Sequence, residues 1–195
     1  MIAAVIVCLA GYLAGSVPFA YLLARRVGID VRKVGSGNVG AANVLRTTGL
    51  GRAVSVMALD VAKGALAVFL AQITVGASLA ALAGVAAIVG HIYPVWLRFV
   101  GGKGVAVAAG VFLALAPAAT AVAFAVFLIT VWMTRYVSLG SAAAAFTLPP
   151  AAAMLGAADP VISAASGTAA LILFRHRANL RRLAAGTERR MGARA

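Results

Sequence analysis

Acidic residues are scarce in this chain: four Asp and Glu stand against 17 Lys and Arg in 195 residues, a formal net charge of +13. Charge of either sign is thin, at 11% of residues, while 64% are hydrophobic. An ordinary soluble domain carries about 25% charged and roughly 45–50% apolar residues, so this composition leaves too little polar surface to cover a globule in water. A soluble enzyme and a disordered basic protein are both excluded. The single cysteine, Cys8, rules out an internal disulfide and leaves the redox compartment open. Only two histidines, His91 and His176, are present, far apart in the chain, so no metal site is expected. A Ser-His-Asp set is not discernible either, which removes the usual sign of a covalent intermediate on serine.

What the chain has is apolar length, to be reckoned against a bilayer. Met1 to Ala24 is uncharged and runs directly into Arg25 and Arg26. A signal peptide would carry its positive charge before the apolar run, so a retained span with a cytoplasmic anchor is expected. A polar stretch from Arg25 to Arg52 follows. Ala53 to Leu97 holds 45 residues, room for two spans turning near Thr74 to Ser78. A short basic loop runs from Arg98 to Gly104. Val105 to Thr134 is uncharged across 30 residues and reads either as one tilted helix or as a hairpin broken near Pro117. Tyr136 to Phe174 holds two more spans turning near Ala158, Asp159 and Pro160, the first carrying Pro149 and Pro150 as a kink.

Charge decides between the two readings of the stretch around Pro117. One span there would place Arg135 and the Arg-rich tail outside, against the positive-inside rule. With a hairpin, every basic residue falls on one face: seven from Arg25 to Lys63, then Arg98 and Lys103, then Arg135, and seven in the tail. The expectation is an all-α polytopic membrane helix bundle of seven transmembrane helices, forming one domain over residues 1–195. Its N-terminus lies outside and its C-terminus in the cytoplasm. Lys63 is the exception within this set, because it sits inside the second span and must snorkel or find a partner.

Two loops on that face carry the residue types that bind anions. In the first, Gly35, Gly37 and Gly40 let backbone N–H groups turn toward one point, a nest for an anion. Ser36, Asn38 and Asn43 add side-chain donors, and Arg46 adds a planar fork suited to phosphate. The stretch also fits G-x-G-x-x-G, with Asp60 20 residues beyond Gly40. A dinucleotide fingerprint needs a strand before it and a parallel sheet around it, which apolar helices do not supply. The second loop, Gly101, Gly102, Lys103 and Gly104, precedes a helix at Val105 whose N-terminus favours phosphate. It is not a P-loop, because Leu97 stands where the first glycine belongs and Gly104 follows the lysine. A membrane-interface anchor is the alternative for Lys103.

Other polar residues stand singly or in pairs. Asp60 and Lys63, three apart, share a helix face and can pair, a structural role being favoured over a functional one. His91, near Tyr93 and Trp96, is either a supporting residue or part of an interfacial belt. Ser138 and Ser141 line a cavity or cap the next helix. His176 and Asn179, also three apart, project from one face of a continued last helix as donors that position a reacting group. The Arg residues around them suit a basic tail on anionic lipid.

Five ordered blocks carry a family resemblance over nearly the whole chain: GSGNVGAANVLRTTG from Gly35, ALDVAKG from Ala58, GHIYPVWLRFVGGKGVA from Gly90, RYVSLGS from Arg135 and HRANLRRLAAGTE from His176. Together they resemble the bacterial acyl-phosphate:glycerol-3-phosphate acyltransferases, seven-span enzymes that make lysophosphatidic acid. Ala42 departs from a usual Thr, and Tyr93 from a common Phe. The resemblance implies that Ser36, Asn38 and Arg46 belong to a segment needed for activity, and that Gly102, Lys103 and the neighbouring glycines form the glycerol-3-phosphate site. It implies that His176 and Asn179 are the catalytic pair, that Ser138 and Ser141 are active-site donors, and that Glu188 serves integrity.

The implied partners are acyl phosphate, glycerol 3-phosphate and membrane lipids. No nucleic acid, no cofactor and a monomeric chain are expected, in a bacterial inner membrane with the site facing the cytoplasm. Either His176 or a substrate phosphate would take the hydroxyl proton. The other main acyltransferase design, His-x4-Asp, is absent, since Trp96 and Arg181 occupy the fifth positions after the two histidines. The main competing class is a transporter for a phosphorylated metabolite, which should place polar residues toward the midplane from both faces. A lipid-binding scaffold would leave the two Gly-rich loops without purpose.

Overall fold

The computed structural model describes residues 1–192, so the last basic residue of the tail, Arg194, lies outside the described residues. Among them there are nine α-helices and no strand: α1 (Ile2–Ser16), α2 (Phe19–Arg25), α3 (Ala41–Thr48), α4 (Leu50–Val75), α5 (Ala77–Ile92), α6 (Val105–Leu115), α7 (Pro117–Thr134), α8 (Val137–Met154) and α9 (Asp159–Ala184). The chain divides into two compact units, Met1–Leu115 and the part from Ala116 onward.

The helix boundaries follow local chemistry. Val17 precedes Pro18 and adopts an extended conformation, ψ 116°, as a residue before proline tends to. The first apolar run is thereby split into α1 and α2, a break the sequence reading does not contain. The uncharged stretch beyond Val105 breaks at Ala116, with Pro117 opening α7 at a position that needs no N–H. It is two helices, as the charge pattern requires. Helix α8 runs through Pro149 and Pro150 and ends at Met154. Five stretches are long and apolar enough to cross a membrane: Ile2–Arg25, Leu50–Val75, Leu79–Leu97, Pro117–Thr134 and Val137–Met154. The protein is a multi-pass membrane protein.

Small residues are prominent inside and many large apolar ones face outward, because lipid solvates a large side chain as well as a core does, although Phe112, Ile88 and Ile92 are fully buried. Trp132, Phe146 and Met154 are 83%, 73% and 86% exposed, whereas Ala80, Ala87, Ala152 and Ala165 are sealed. In the first unit α1 packs on α5, and α4 on α5 and α6. A Cβ on Gly15 would overlap the Ala87 carbonyl, and one on Gly110 the Val61 carbonyl. In the second unit α8 packs between α7 and α9. Phe127 and Val131 of α7 crowd the position of Gly140 on α8.

Candidate active site

The first polar loop is not irregular throughout, since Ala41–Thr48 forms α3. Asn43, in the first turn of that helix, is sealed from solvent. Its Oδ1 accepts from the Ser36 N–H at 2.9 Å, while its Nδ2 donates to the carbonyls of Val31 at 2.8 Å and Val34 at 3.2 Å. Asn43 is therefore a structural residue and not a substrate contact, because its amide folds residues 31–36 around α3. Gly35 and Gly37 adopt φ of 63° and 70°, where L side chains are strained. A Cβ on Gly35 would also collide with Asn43 Oδ1.

The same geometry takes three N–H groups out of the expected backbone nest. The N–H groups of Ser36, Gly37 and Gly40 bond to Asn43, to the Val34 carbonyl and to the Asn38 carbonyl. These glycines shape the loop, and the side-chain donors it can offer a ligand are Ser36 and Arg46, both exposed, and half-buried Asn38. At its edge Arg32 grips Asp30 through two bonds of 2.9 and 2.7 Å and lies 4.7 Å from the Tyr21 ring centre. The guanidinium holds the Asp30 carboxyl well below the usual carboxylate range.

The second loop turns back onto the end of α5. Arg98 and Phe99 both take left-handed backbone conformations, φ 53° and 62°, an uncommon pair for residues with side chains. The turn brings the Gly101 N–H to the Ile92 carbonyl at 3.1 Å and the Gly102 N–H to the His91 carbonyl at 3.2 Å. A Cβ on Gly102 would strike the His91 ring and lie 2.7 Å from the Val39 carbonyl. The two loops are therefore in contact, Val39 of the first against Gly102 of the second. Lys103 is half-buried between Gly102 and the left-handed Gly104 that leads into α6.

Behind that loop lies a sealed polar cluster. Lys63 Nζ lies 2.7 Å from Asp60 Oδ1 and 3.0 Å from His91 Nδ1, and donates to the Val17 carbonyl at 2.8 Å. Lys63 thus finds partners rather than snorkelling. His91 is 8% exposed and is no belt residue.

The second unit gathers the other predicted residues. Ser138 and Asn179 both donate to Glu188 Oε1, at 2.7 and 2.6 Å, and Arg182 donates to Oε2 at 2.7 Å. Burial pushes the Glu188 carboxyl up, but the bonds from Asn179, Ser138 and Arg182 outweigh it and hold it below its ordinary value. Ser141 donates to the Val137 carbonyl at 2.8 Å, and neither serine caps α8. His176 is 3% exposed, with Nδ1 2.8 Å from the Ile172 carbonyl one turn earlier. A carbonyl only accepts, so Nδ1 carries a proton, and in the neutral ring the lone pair is on Nε2.

The sequence reading leaves the tail as a basic extension, but residues 188–191 fold back on the α7–α8 turn. The Met191 N–H reaches the Arg135 carbonyl at 2.7 Å, and Arg190 Nε donates to the Tyr136 hydroxyl at 3.2 Å. The signal available was Glu188, the one acid in an Arg-rich segment. Among the described residues no group of three His, Cys, Asp or Glu gathers as a metal site would require.

Comparison with known proteins assigns the family. The model for "Glycerol-3-phosphate acyltransferase" matches residues 5–186. A glycerol-3-phosphate acyltransferase of Geotalea daltonii is 44% identical over 191 residues, covering 96% of this chain and 97% of the relative. One of Thermus thermophilus is 48% identical over 200 residues, covering 100% and 98%. A crystal structure of PlsY, an integral membrane glycerol 3-phosphate acyltransferase in its glycerol 3-phosphate form, superposes with a TM-score of 0.93 at 39% identity, covering 97% of this chain and 96% of that one. The lysophosphatidic acid form of the same enzyme gives 0.91 at 38% identity, covering 97% and 95%. With the family model matched over residues 5–186 and relatives this similar over nearly their whole length, the chain belongs to the glycerol-3-phosphate acyltransferase family.

Proposed function

We propose that this protein transfers an acyl group from an acyl phosphate to the sn-1 hydroxyl of glycerol 3-phosphate, giving lysophosphatidic acid and inorganic phosphate. This is the first acylation of phospholipid synthesis. The observation that carries the reading, beyond family membership, is the contact of two glycine loops, each with its own cation, Arg46 in one and Lys103 in the other. Both substrates carry a phosphate, and the loops offer one cationic site for each.

In the reaction the glycerol oxygen bonds to the acyl carbon and the acyl–phosphate C–O bond breaks. An acyl phosphate is a mixed anhydride whose phosphate leaves readily, so catalysis needs alignment above all. Lys103, with the turn of Gly101, Gly102 and Gly104, holds the glycerol 3-phosphate. Arg46, with Ser36 and Asn38, holds the acyl phosphate. His176 takes the hydroxyl proton on Nε2, the nitrogen left with a lone pair by the bond of Nδ1 to Ile172. Asn179, one amide N–H of which is held by Glu188, donates the other near the developing oxyanion, while Ser138, whose only hydroxyl proton goes to the same carboxylate, keeps Glu188 in place. No Ser-His-Asp set is needed.

In the membrane the five long stretches, together with α6 and the apolar first part of α9, make seven crossings. The N-terminus is then outside, and the loops and tail face the cytoplasm from the bacterial inner membrane. Without a crossing by α6, Arg135 and the tail would change sides, against the charge rule. The chain works as a monomer and as one domain, without a cofactor.

The deciding assay supplies purified protein with palmitoyl phosphate and glycerol 3-phosphate and measures lysophosphatidic acid. Product should form with the acyl phosphate and not with a coenzyme A thioester. A folded sample that makes none refutes the reading.

A further inference from the structure

The Asp60, Lys63 and His91 cluster has no part in the acyl transfer described above, yet it stands directly behind the loop that carries Lys103. An ammonium has three N–H donors and no acceptor. Around Lys63 Nζ stand Asp60 Oδ1 at 2.7 Å, the Val17 carbonyl at 2.8 Å and His91 Nδ1 at 3.0 Å. Every neighbour must therefore present a lone pair, His91 Nδ1 included. The opposite arrangement, Nδ1–H directed to Asp60, fails on length, because that separation is 3.6 Å. It would also turn an N–H toward the ammonium.

The proton of the imidazole then sits on Nε2, and Nε2 is the edge against which Gly102 packs. A Cβ at Gly102 would overlap Nε2 and approach Cε1 at 2.9 Å. The His91 carbonyl also receives the Gly102 N–H at 3.2 Å. His91 thus meets the glycine loop twice, once through its backbone and once through its ring. The orientation of that ring is set from Lys63.

We propose that Lys63, held by Asp60, fixes His91 in the Nε2–H tautomer, and that His91 so fixed is a positioning residue that sets the Gly101–Gly104 turn and with it the presentation of Lys103 to a phosphate. The functional half of this rests on the reading of that loop as the glycerol 3-phosphate site. The tautomer does not. His176 has the opposite form, with its proton on Nδ1. The two histidines of the chain should therefore differ in a directly visible way.

The experiment uses full-length protein with 15N-labelled histidine in lipid nanodiscs, with His176→Gln assigning the two imidazoles. His91 should show a bare, hydrogen-bonded Nδ1 and a protonated Nε2. Lys63→Met should release it to a mixture of tautomers. Binding of glycerol 3-phosphate, measured by calorimetric titration, should weaken about tenfold in Lys63→Met and in His91→Phe, which keeps a ring of similar size without nitrogens. A wild-type His91 protonated on Nδ1 overturns the proposal even if both variants fail to fold. Wild-type affinity in His91→Phe overturns it too, since the ring would then only fill space, as does a wild-type protein that does not bind glycerol 3-phosphate. Neither readout requires turnover, so loss of the acyltransferase reading and loss of this one are told apart.

Discussion

Asn179 donates to Glu188 Oε1 at 2.6 Å, and through that contact the last long helix is tied to the segment that follows it. The same oxygen accepts from Ser138 on α8. Glu188→Gln removes the charge that draws in three donors, so acyltransferase activity and thermal stability should both fall. The depressed carboxyl sets the pH dependence. A group whose folded value lies below its unfolded one stabilises the fold above the unfolded value, and that contribution is lost as pH falls through the folded one. Unfolding temperatures of wild type and Glu188→Gln should differ at pH 7 and converge below about pH 4.

Asn43→Ala frees the Ser36 N–H and two carbonyls from their partner in a closed setting. The cost should be about 1–3 kcal/mol, with loss of activity as the loop opens. Asn43→Asp keeps the acceptor for Ser36 but not the donor for Val31 and Val34, and should be no milder. Denaturation in detergent alongside the acyl-transfer assay checks both.

His176→Ala should lower kcat by about 10² or more while glycerol 3-phosphate still binds. Lys103→Met should act mainly on affinity, raising KM for glycerol 3-phosphate by roughly tenfold or more through loss of a charge-assisted bond. Steady-state kinetics on both variants separates the two roles. A His176→Ala enzyme within a few-fold of wild type would remove the histidine from proton transfer.

Two glycine substitutions should have opposite effects. Gly15→Ala drives a methyl into the Ala87 carbonyl and should destabilise by about 1–3 kcal/mol. A Cβ on Gly167 in α9 meets nothing within 4 Å, and Gly167→Ala should be neutral or stabilising by up to about 1 kcal/mol. Thermal unfolding of the two in the same detergent is the comparison.

Asp60→Asn or Lys63→Met alone strands a charge in the first unit's interior, at a cost of about 3–5 kcal/mol. The double substitution removes both charges and should be more stable than either single. A double variant no better than the worse single would mean that the two do not act as a pair.

The sequence makes long features legible and short ones obscure. The helix break at Pro117 could be read from parity of charge, because a long uncharged run and a sign rule bear on it. The Asp60 and Lys63 contact could be read from spacing. Helix α3 could not, since its eight residues carry no apolar run, and with it the role of Asn43 is hidden: an asparagine in a Gly-rich stretch looks the same whether it faces a ligand or its own backbone. His91 reads either as a supporting residue or as part of an interfacial belt, because its neighbours Tyr93 and Trp96 are aromatic. What decides between them is its contact with Lys63, 28 positions earlier and on another helix. The return of residues 188–191 to Arg135 and Tyr136 is likewise a long-range pairing for which one lone Glu is the sole local sign.

The seating of α1 has a consequence for how the protein is made. Its close-packing residues, Gly11 and Gly15, face Ala83 and Ala87 of α5, and its Tyr12 and Ser16 bond to Tyr93 and Trp96. During synthesis α1 leaves the ribosome ahead of its partner α5 by roughly seventy residues, several seconds of elongation. Through that interval its glycine face must be shielded by lipid or by the insertion machinery, and release of a chain stopped before α5 should yield an inserted but unassembled helix. A helix that enters the membrane well ahead of α5 is thus fixed in place only after α5 has followed it.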